Sequence, residues 1–266
     1  MQNWRGQTVA LVPTMGNLHA GHQRLIQHAQ SIAQHVVVSI FVNPMQFGPH
    51  EDFDAYPRTL KADCKALNNH PCDAVFAPTV REVYPKGVNT EIDLPSLSTI
   101  LCGHHRPGHF KGVVTVVTKL LNIVQPDVAV FGNKDYQQLQ VIQTMVADLL
   151  IPVTIVGADT TREPSGLAMS SRNAYLSAEE KETAAMLYAT LKRIGDTLRS
   201  DSQVSTTLKQ EKERLTAAGF VLDYLEIRDA QDLSKSYVEA DSAVILVAAK
   251  LGRARLIDNL VIELKR

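Results

Sequence analysis

The chain has 266 residues, of which 45% are hydrophobic and 21% charged, the make-up of a folded globular protein; disorder and fibrous architectures are excluded. Its 27 basic and 28 acidic residues leave a net charge of −1, so no overall positive field exists to gather nucleic acid or an anionic membrane. No apolar run approaches the roughly 20 residues that span a bilayer, and Cys64, Cys72 and Cys102 lack the Cys-x-x-Cys spacing of a thiolate metal site and the even count of a disulfide framework.

From the amino terminus, Met1-Gln2-Asn3-Trp4-Arg5-Gly6 has no secretory apolar core, and a cytoplasmic protein is expected. Residues 8–12 predict a strand, 21–34 a helix and 36–42 a fully buried strand. Residues 60–69 then read as a helix, 74–76 as a short strand, and 113–124 as a buried helix despite its valines. Residues 128–131, 137–150 and 153–156 continue as strand, helix and strand. Short β-branched runs alternating with longer amphipathic segments specify a parallel sheet covered by helices, so residues 1–160 are expected to form a Rossmann-like, doubly wound α/β domain.

The polar run at 160–172, with Pro164 and Gly166, reads as a hinge. Residues 161–266 are expected to form a smaller α+β lid domain. It opens on a capping box, Ser177-Ala178-Glu179-Glu180, before a helix to about residue 198. A helix at 206–218 and strands at 221–227, 243–249 and 261–264 follow.

The most informative stretch is Val12-Pro13-Thr14-Met15-Gly16-Asn17-Leu18-His19-Ala20-Gly21-His22, where a strand ends in a tight turn and a helix begins at His-x-Gly-His. Gly21 permits close backbone approach, and a fresh helix start offers N–H groups and a positive dipole end, which together make an anion cradle. His19 and His22, three apart, can turn both imidazoles toward one ligand and stabilise charge on phosphate oxygens. The plainer alternatives are a helix cap with a surface residue, or half a metal site. A second stretch, Gly166-Leu167-Ala168-Met169-Ser170-Ser171-Arg172-Asn173, supplies hydroxyls and a guanidinium on flexible backbone, suited to closing on a triphosphate. Gly103-His104-His105-Arg106-Pro107-Gly108 has phosphate-loop glycine spacing, but His109-Phe110 stands where Lys-Ser/Thr is required; a mobile active-site flap is expected there instead. Gly-x-Gly-x-x-Gly and Gly-x-Ser-x-Gly are both absent, which removes the main signals of a dehydrogenase or hydrolase.

His-x-Gly-His paired with a downstream Met-Ser-Ser-Arg resembles the nucleotidylyltransferase superfamily. Six spaced motifs narrow the likeness: Pro13-Thr14-Met15-Gly16-Asn17-Leu18-His19, Phe41-Val42-Asn43-Pro44-Met45-Gln46-Phe47, Tyr56-Pro57-Arg58-Thr59, Arg106-Pro107-Gly108-His109-Phe110, Lys134-Asp135-Tyr136-Gln137-Gln138 and Met169-Ser170-Ser171-Arg172-Asn173. In that order they resemble the pantoate–β-alanine ligase family.

The resemblance implies an ATP-dependent ligase that condenses pantoate with β-alanine to pantothenate through a pantoyl adenylate, releasing AMP and pyrophosphate. By the same likeness His19, His22, Lys134 and Arg172 are catalytic, with a proton-donor role on His22. ATP contacts fall on Met15, Gly16, Asn17, Leu18, His19, Ala20, Gly21 and His22, on Gly132, Asn133, Lys134 and Asp135, and on Thr161, Met169, Ser170, Ser171 and Arg172. Gln46, Gln138 and Asn43 are implied to bind substrate, Mg2+ to accompany the phosphates, and the chain to form a homodimer. A carboxylate nucleophile is already ionised at neutral pH, so adenylation needs positioning and relief of phosphate charge rather than a strong base. Cys102 and Asn133 stand where family members usually carry Glu, and the leading strand and helix common in the family are absent from this sequence. Alternatives are a nucleotidylyltransferase that leaves the nucleotidyl group on its product, and a nucleotide-binding module with impaired catalysis.

Overall fold

The computed structural model describes residues 4–49, 51, 53–68, 72–200, 203–235 and 237–264. The chain divides into two compact units, Met1–Asn133 with Gln137–Asp159, and Lys134–Tyr136 with Thr160–Arg266. Lys134–Tyr136 therefore belongs to the second unit although both flanking stretches belong to the first.

In the first unit β1 (Val9–Thr14), α1 (Ala20–Ile32) and β2 (His35–Ile40) are followed by α2 (Leu60–Leu67), β3 (Ala74–Phe76) and three short helices, α3 (Val80–Val83), α4 (Pro95–Ser98) and α5 (Leu101–His105). Then come α6 (His109–Val124), β4 (Val128–Gly132), α7 (Tyr136–Asp148) and β5 (Thr154–Ala158). The five strands are parallel in the order β3-β2-β1-β4-β5. Connections from β1 build outward through β2 to β3, and the later strands build outward on the other side. The order reverses between β1 and β4, whose carboxyl ends flank the crevice where such a sheet takes its ligand. This is the doubly wound α/β fold expected.

Core packing explains the elements. Val36, Val37 and Val38 of β2 are all buried, the continuous apolar run of a strand covered on both faces. In α6 the residues Val113, Val114, Val116 and Val117 are buried together, and this burial outweighs the weak helix preference of valine. That helix starts at His109, four residues before the expected boundary. The segment expected as a mobile flap is the short helix α5 followed by an anchored turn: Leu101, Cys102 and Gly103 are buried, and Arg106 makes a two-pronged ion pair with Glu51 at 2.6 and 2.7 Å.

The second unit is a three-stranded antiparallel sheet, β6 (Val221–Asp229), β7 (Ser242–Leu251) and β8 (Ala254–Glu263), with α8 (Ala178–Ala184), α9 (Met186–Arg199) and α10 (Val204–Ala217). Leu187, Leu191 and Ile194 of α9 pack with Leu215, Phe220, Leu225 and Ile245 in its core. Ser177 caps α8 in the expected capping box with Glu180. Where a single helix is expected to residue 198, there are two, with Ala185 as the cap between them. β8 is far longer than the expected strand at 261–264. Its full length pairs with β7 from Ala254 to Glu263, but Asp258 and Asn259 interrupt the apolar pattern while both lie buried. Among the described residues no helix is long and apolar enough to cross a membrane.

Candidate functional site

The turn after β1 is held by its own side chains and by one carboxylate from α2. Thr14 Oγ1 donates to the Ser39 carbonyl at 2.8 Å and accepts from Gly16 N–H at 3.2 Å. Gly16 has φ +83°, and a Cβ there would press on Asp63 and Ile40, so the position demands glycine. Asp63, 2% exposed, accepts from Asn17 N–H at 3.1 Å, Leu18 N–H at 2.8 Å and the Thr59 hydroxyl at 3.1 Å. The amides of Asn17 and Leu18 are thus committed to an internal carboxylate. Nothing in the sequence around Asp63 signals this, since it sits 46 residues downstream in an ordinary amphipathic helix.

Both histidines cap α1. His19 is the N-cap, its Nδ1 accepting from Gly21 N–H at 3.1 Å, while His22 Nδ1 accepts from His19 N–H at 3.3 Å. The rings lie 4.1 Å apart between centroids. A neutral imidazole that accepts through Nδ1 must carry its proton on Nε2. The reciprocal cap therefore fixes the tautomer of each ring and makes Nε2–H its donor. Cap and functional donor are compatible roles of one residue, using opposite nitrogens. No acidic residue occupies the first turn of α1, so the positive end of its dipole is not offset there.

Beyond β2, the two amides expected to meet substrate differ. Asn43 is wholly buried: Nδ2 donates to the Gly112 carbonyl at 3.0 Å, and Oδ1 accepts from Met45 N–H at 3.3 Å and the Tyr84 hydroxyl at 2.9 Å. Burial pushes the Tyr84 phenol up to about 12, keeping it a donor. Asn43 thus knits the loop to α6, which approaches so closely that a Cβ at Gly112 would run into the Met45 carbonyl and Gln46 N–H. Gln46 is 8% exposed, and among the described residues nothing hydrogen-bonds its side-chain amide. Its carbonyl is clamped instead, by Arg106 Nη2 at 3.2 Å and His109 Nδ1 at 2.8 Å. Burial alone would raise the Glu51 carboxyl, but the hydrogen bonds and charge of Arg106, with His109 and Gly48 adding to them, hold it below its ordinary value.

The glutamine pair opening α7 divides in the same way. Gln137 is buried, accepting from Cys102 N–H at 2.9 Å and donating to the carbonyls of Leu97 at 2.8 Å and Ile100 at 2.9 Å. Gln138 has no such partner among the described residues. Asn133, at the carboxyl end of β4, donates to Asp159 at 3.4 Å.

In the second unit Lys134, Ser170, Asn173 and Asp258 line one recess, so two separately expected nucleotide segments come together there. Lys134 Nζ lies 3.8 Å from Asp135 Oδ2. Ser170 caps a single turn of 3-10 helix, Ser171–Tyr175, accepting from Arg172 N–H at 3.2 Å. Thr161 accepts Met169 N–H through its carbonyl at 2.9 Å, closing the base of the loop. Buried Asn173 donates to Ala168 O at 3.1 Å and Glu163 at 3.3 Å, while its Oδ1 has no partner among the described residues. Arg162, singled out by no motif, meets Asp258 through two hydrogen bonds at 2.6 and 2.8 Å and lies 3.6 Å over the Tyr188 ring. Among the described residues no three His, Cys, Asp or Glu side chains converge as a cation site.

Comparison with known proteins places these features in a wider set. The family profile described as pantoate-beta-alanine ligase matches residues 1–261. The pantothenate synthetase of Shewanella oneidensis is 55% identical over 97% of this chain and 93% of its own, and that of Idiomarina loihiensis is 56% identical over 98% and 94%. The crystal structure of pantothenate synthetase from Thermus thermophilus superposes with a TM-score of 0.91 at 44% identity, covering 96% of this chain and 93% of that one. That of the pantoate-beta-alanine ligase from Francisella tularensis, complexed with beta-gamma ATP and beta-alanine, gives 0.82 at 36% identity, covering 98% and 93%.

Proposed function

The chain belongs to the pantoate–β-alanine ligase family of enzymes, and on that premise we propose that it joins the two acids through a pantoyl adenylate, releasing AMP and pyrophosphate. The observation that carries this reading is the reciprocal histidine cap at the start of α1. It presents two tautomer-fixed Nε2–H donors at a helix start whose first turn carries no acidic residue.

In the first half-reaction a pantoate carboxylate oxygen attacks the α-phosphorus of ATP and the bond to the pyrophosphate oxygen breaks. The carboxylate needs no deprotonation. Charge grows on the phosphoryl oxygens and the leaving group, and donors already in place stabilise it without reorganising. His19 and His22 supply neutral hydrogen-bond donors, so the proton-donor role that the family likeness puts on His22 is filled by its Nε2–H donating a hydrogen bond without giving up the proton; Lys134 and Arg172 supply cationic ones. Glycine backbone at Gly16 and Gly21 permits close approach of the nucleotide, and Met15, Asn17, Leu18 and Ala20 complete that contact. Gly132, Asn133 and Asp135 around Lys134, and Thr161, Met169, Ser170 and Ser171 around Arg172, form the remaining nucleotide contacts. In the second half-reaction the neutral β-alanine amine attacks the acyl carbon, the bond from that carbon to the phosphate oxygen breaks, AMP departs and the nitrogen gives up a proton to solvent.

The amides of Gln46 and Gln138, which nothing in the described protein engages, are suited to pantoate, because an amide both donates to its carboxylate and accepts from its hydroxyls. Asn43 supports Gln46 through the loop it holds. Mg2+ fits as a companion of ATP: with no converging protein cage among the described residues, phosphate oxygens would supply most of its ligands, and Asp135 is the carboxylate next to Lys134. Bound there, it would neutralise phosphate charge.

The test is product stoichiometry with purified protein, ATP, pantoate and β-alanine. The reading predicts one AMP and one pyrophosphate per pantothenate formed. ADP with inorganic phosphate, or a nucleotidyl group retained on the product, would sink it.

A further inference from the structure

We propose that Asp258 and Asn259, the buried polar pair of β8, are positioning residues that set Lys134 in register with the Ser170–Arg172 loop. This rests on the reading that both segments hold the phosphates of ATP.

Two adjacent buried polar side chains in a strand are costly unless each is satisfied, since an unpaired buried polar group loses about 1–3 kcal/mol. Here each is satisfied by one of the two segments. Asn259 Nδ2 donates to the Lys134 carbonyl at 2.9 Å, across 125 positions of chain. Asp258 receives both prongs of Arg162, 96 positions away. Arg162 also donates to the Gly166 carbonyl at 3.1 Å and to the Asn259 carbonyl at 3.4 Å, so the guanidinium ties the loop's turn to the same strand. Tyr136 adds a second tie, its hydroxyl donating to the Ala230 carbonyl at 2.7 Å.

The arrangement accounts for Lys134–Tyr136 belonging to the second unit. A lysine on a flexible stem is a poor electrostatic clamp unless its backbone is fixed. Asn259 fixes that backbone by its carbonyl, and Lys134 lines the same recess as Ser170. Asn259 thus acts through Lys134 and need not touch substrate.

The experiment is a double-mutant cycle on pantoate-dependent exchange of labelled pyrophosphate into ATP, without β-alanine. Lys134→Ala removes the ammonium but keeps the carbonyl that Asn259 holds. Asn259→Ala should lower exchange about 10-fold or more, the cost of sub-ångström misplacement of a charged group. In the Lys134→Ala background the same change should add less than about 2-fold, because the group it positions is gone. An equal loss in both backgrounds marks a merely structural residue and overturns the proposal, as does no loss in either. Asn259→Leu, which fills a similar volume without a donor, runs through the same cycle if Asn259→Ala fails to fold, and the same pair of losses supports or overturns the proposal. If Lys134→Ala alone leaves exchange intact, Lys134 does not hold the phosphates and this proposal fails with it; absence of exchange in the unmodified, folded protein is the separate outcome that would sink the proposed function.

Discussion

The two regions expected to meet nucleotide are built on opposite plans. The β1–α1 turn is organised chiefly by neighbours: His19 and His22 cap each other's backbone within four residues, and Gly16 leans on Thr14. The loop at 160–173 is organised from far along the chain, by Arg162 reaching Asp258 and by a strand that also holds Lys134. Local order can be read from a sequence and survives distant substitution. Remote order cannot be read that way, and it concentrates sensitivity at positions that no motif marks.

The contrast breaks most visibly at Asp258. Truncating one partner of a buried ion pair leaves the other charge uncompensated, so Asp258→Ala should destabilise the protein by about 3–5 kcal/mol in denaturant unfolding. A loss under about 1 kcal/mol, as surface pairs give, would mean that Arg162 is solvated and the loop self-supporting. Asp63 is the exception on the other side, the one remote member of the local turn. Asp63→Ala strands two amides and should cost about 2–4 kcal/mol, with a raised KM for ATP and little change in the KM for β-alanine. Unchanged nucleotide kinetics would show that the turn holds its shape without α2.

The smallest effect is acid sensitivity, which has a source in each unit. Arginine partners hold Glu51 and Glu211 below their ordinary value of 4.5, outweighing the burial that would raise them. A carboxyl lowered in the folded state contributes stability that is fully present above its unfolded pKa and is lost as pH falls through the lowered folded one. Stability should therefore decline below about pH 4.5, and Glu51→Gln or Glu211→Gln should each flatten that decline in pH-dependent unfolding. An unaltered slope in both variants would show that these pairs do not set the acid limb.

What the sequence made legible follows the same division. The strand–turn–helix at 9–22 and the valine-rich helix α6 are legible because periodicity and turn residues are local signals. β8 is largely hidden because Asp258 and Asn259 sit where apolar residues would announce a strand, and their burial depends on Arg162 and Lys134. The glutamines make the same point more finely. Gln137 and Gln138 are adjacent and identical in type, yet the first is spent on α4 and α5 while the second has no such partner among the described residues. Asn43 and Gln46 divide likewise, and the difference lies in remote partners, Gly112 and Tyr84, that no local pattern around Asn43 announces.

The central claim is that a histidine cap, by fixing each ring's tautomer, makes Nε2–H the donor for adenylate formation. His22→Asn isolates it, because the shorter amide can still accept the His19 N–H but has nothing in the place of Nε2. Pantoate-dependent pyrophosphate exchange in this variant should fall about 10²–10³-fold, the effect of losing one preorganised donor, while the thermal midpoint stays near that of the unmodified protein. Exchange at the unmodified rate in a folded His22→Asn protein would contradict the account.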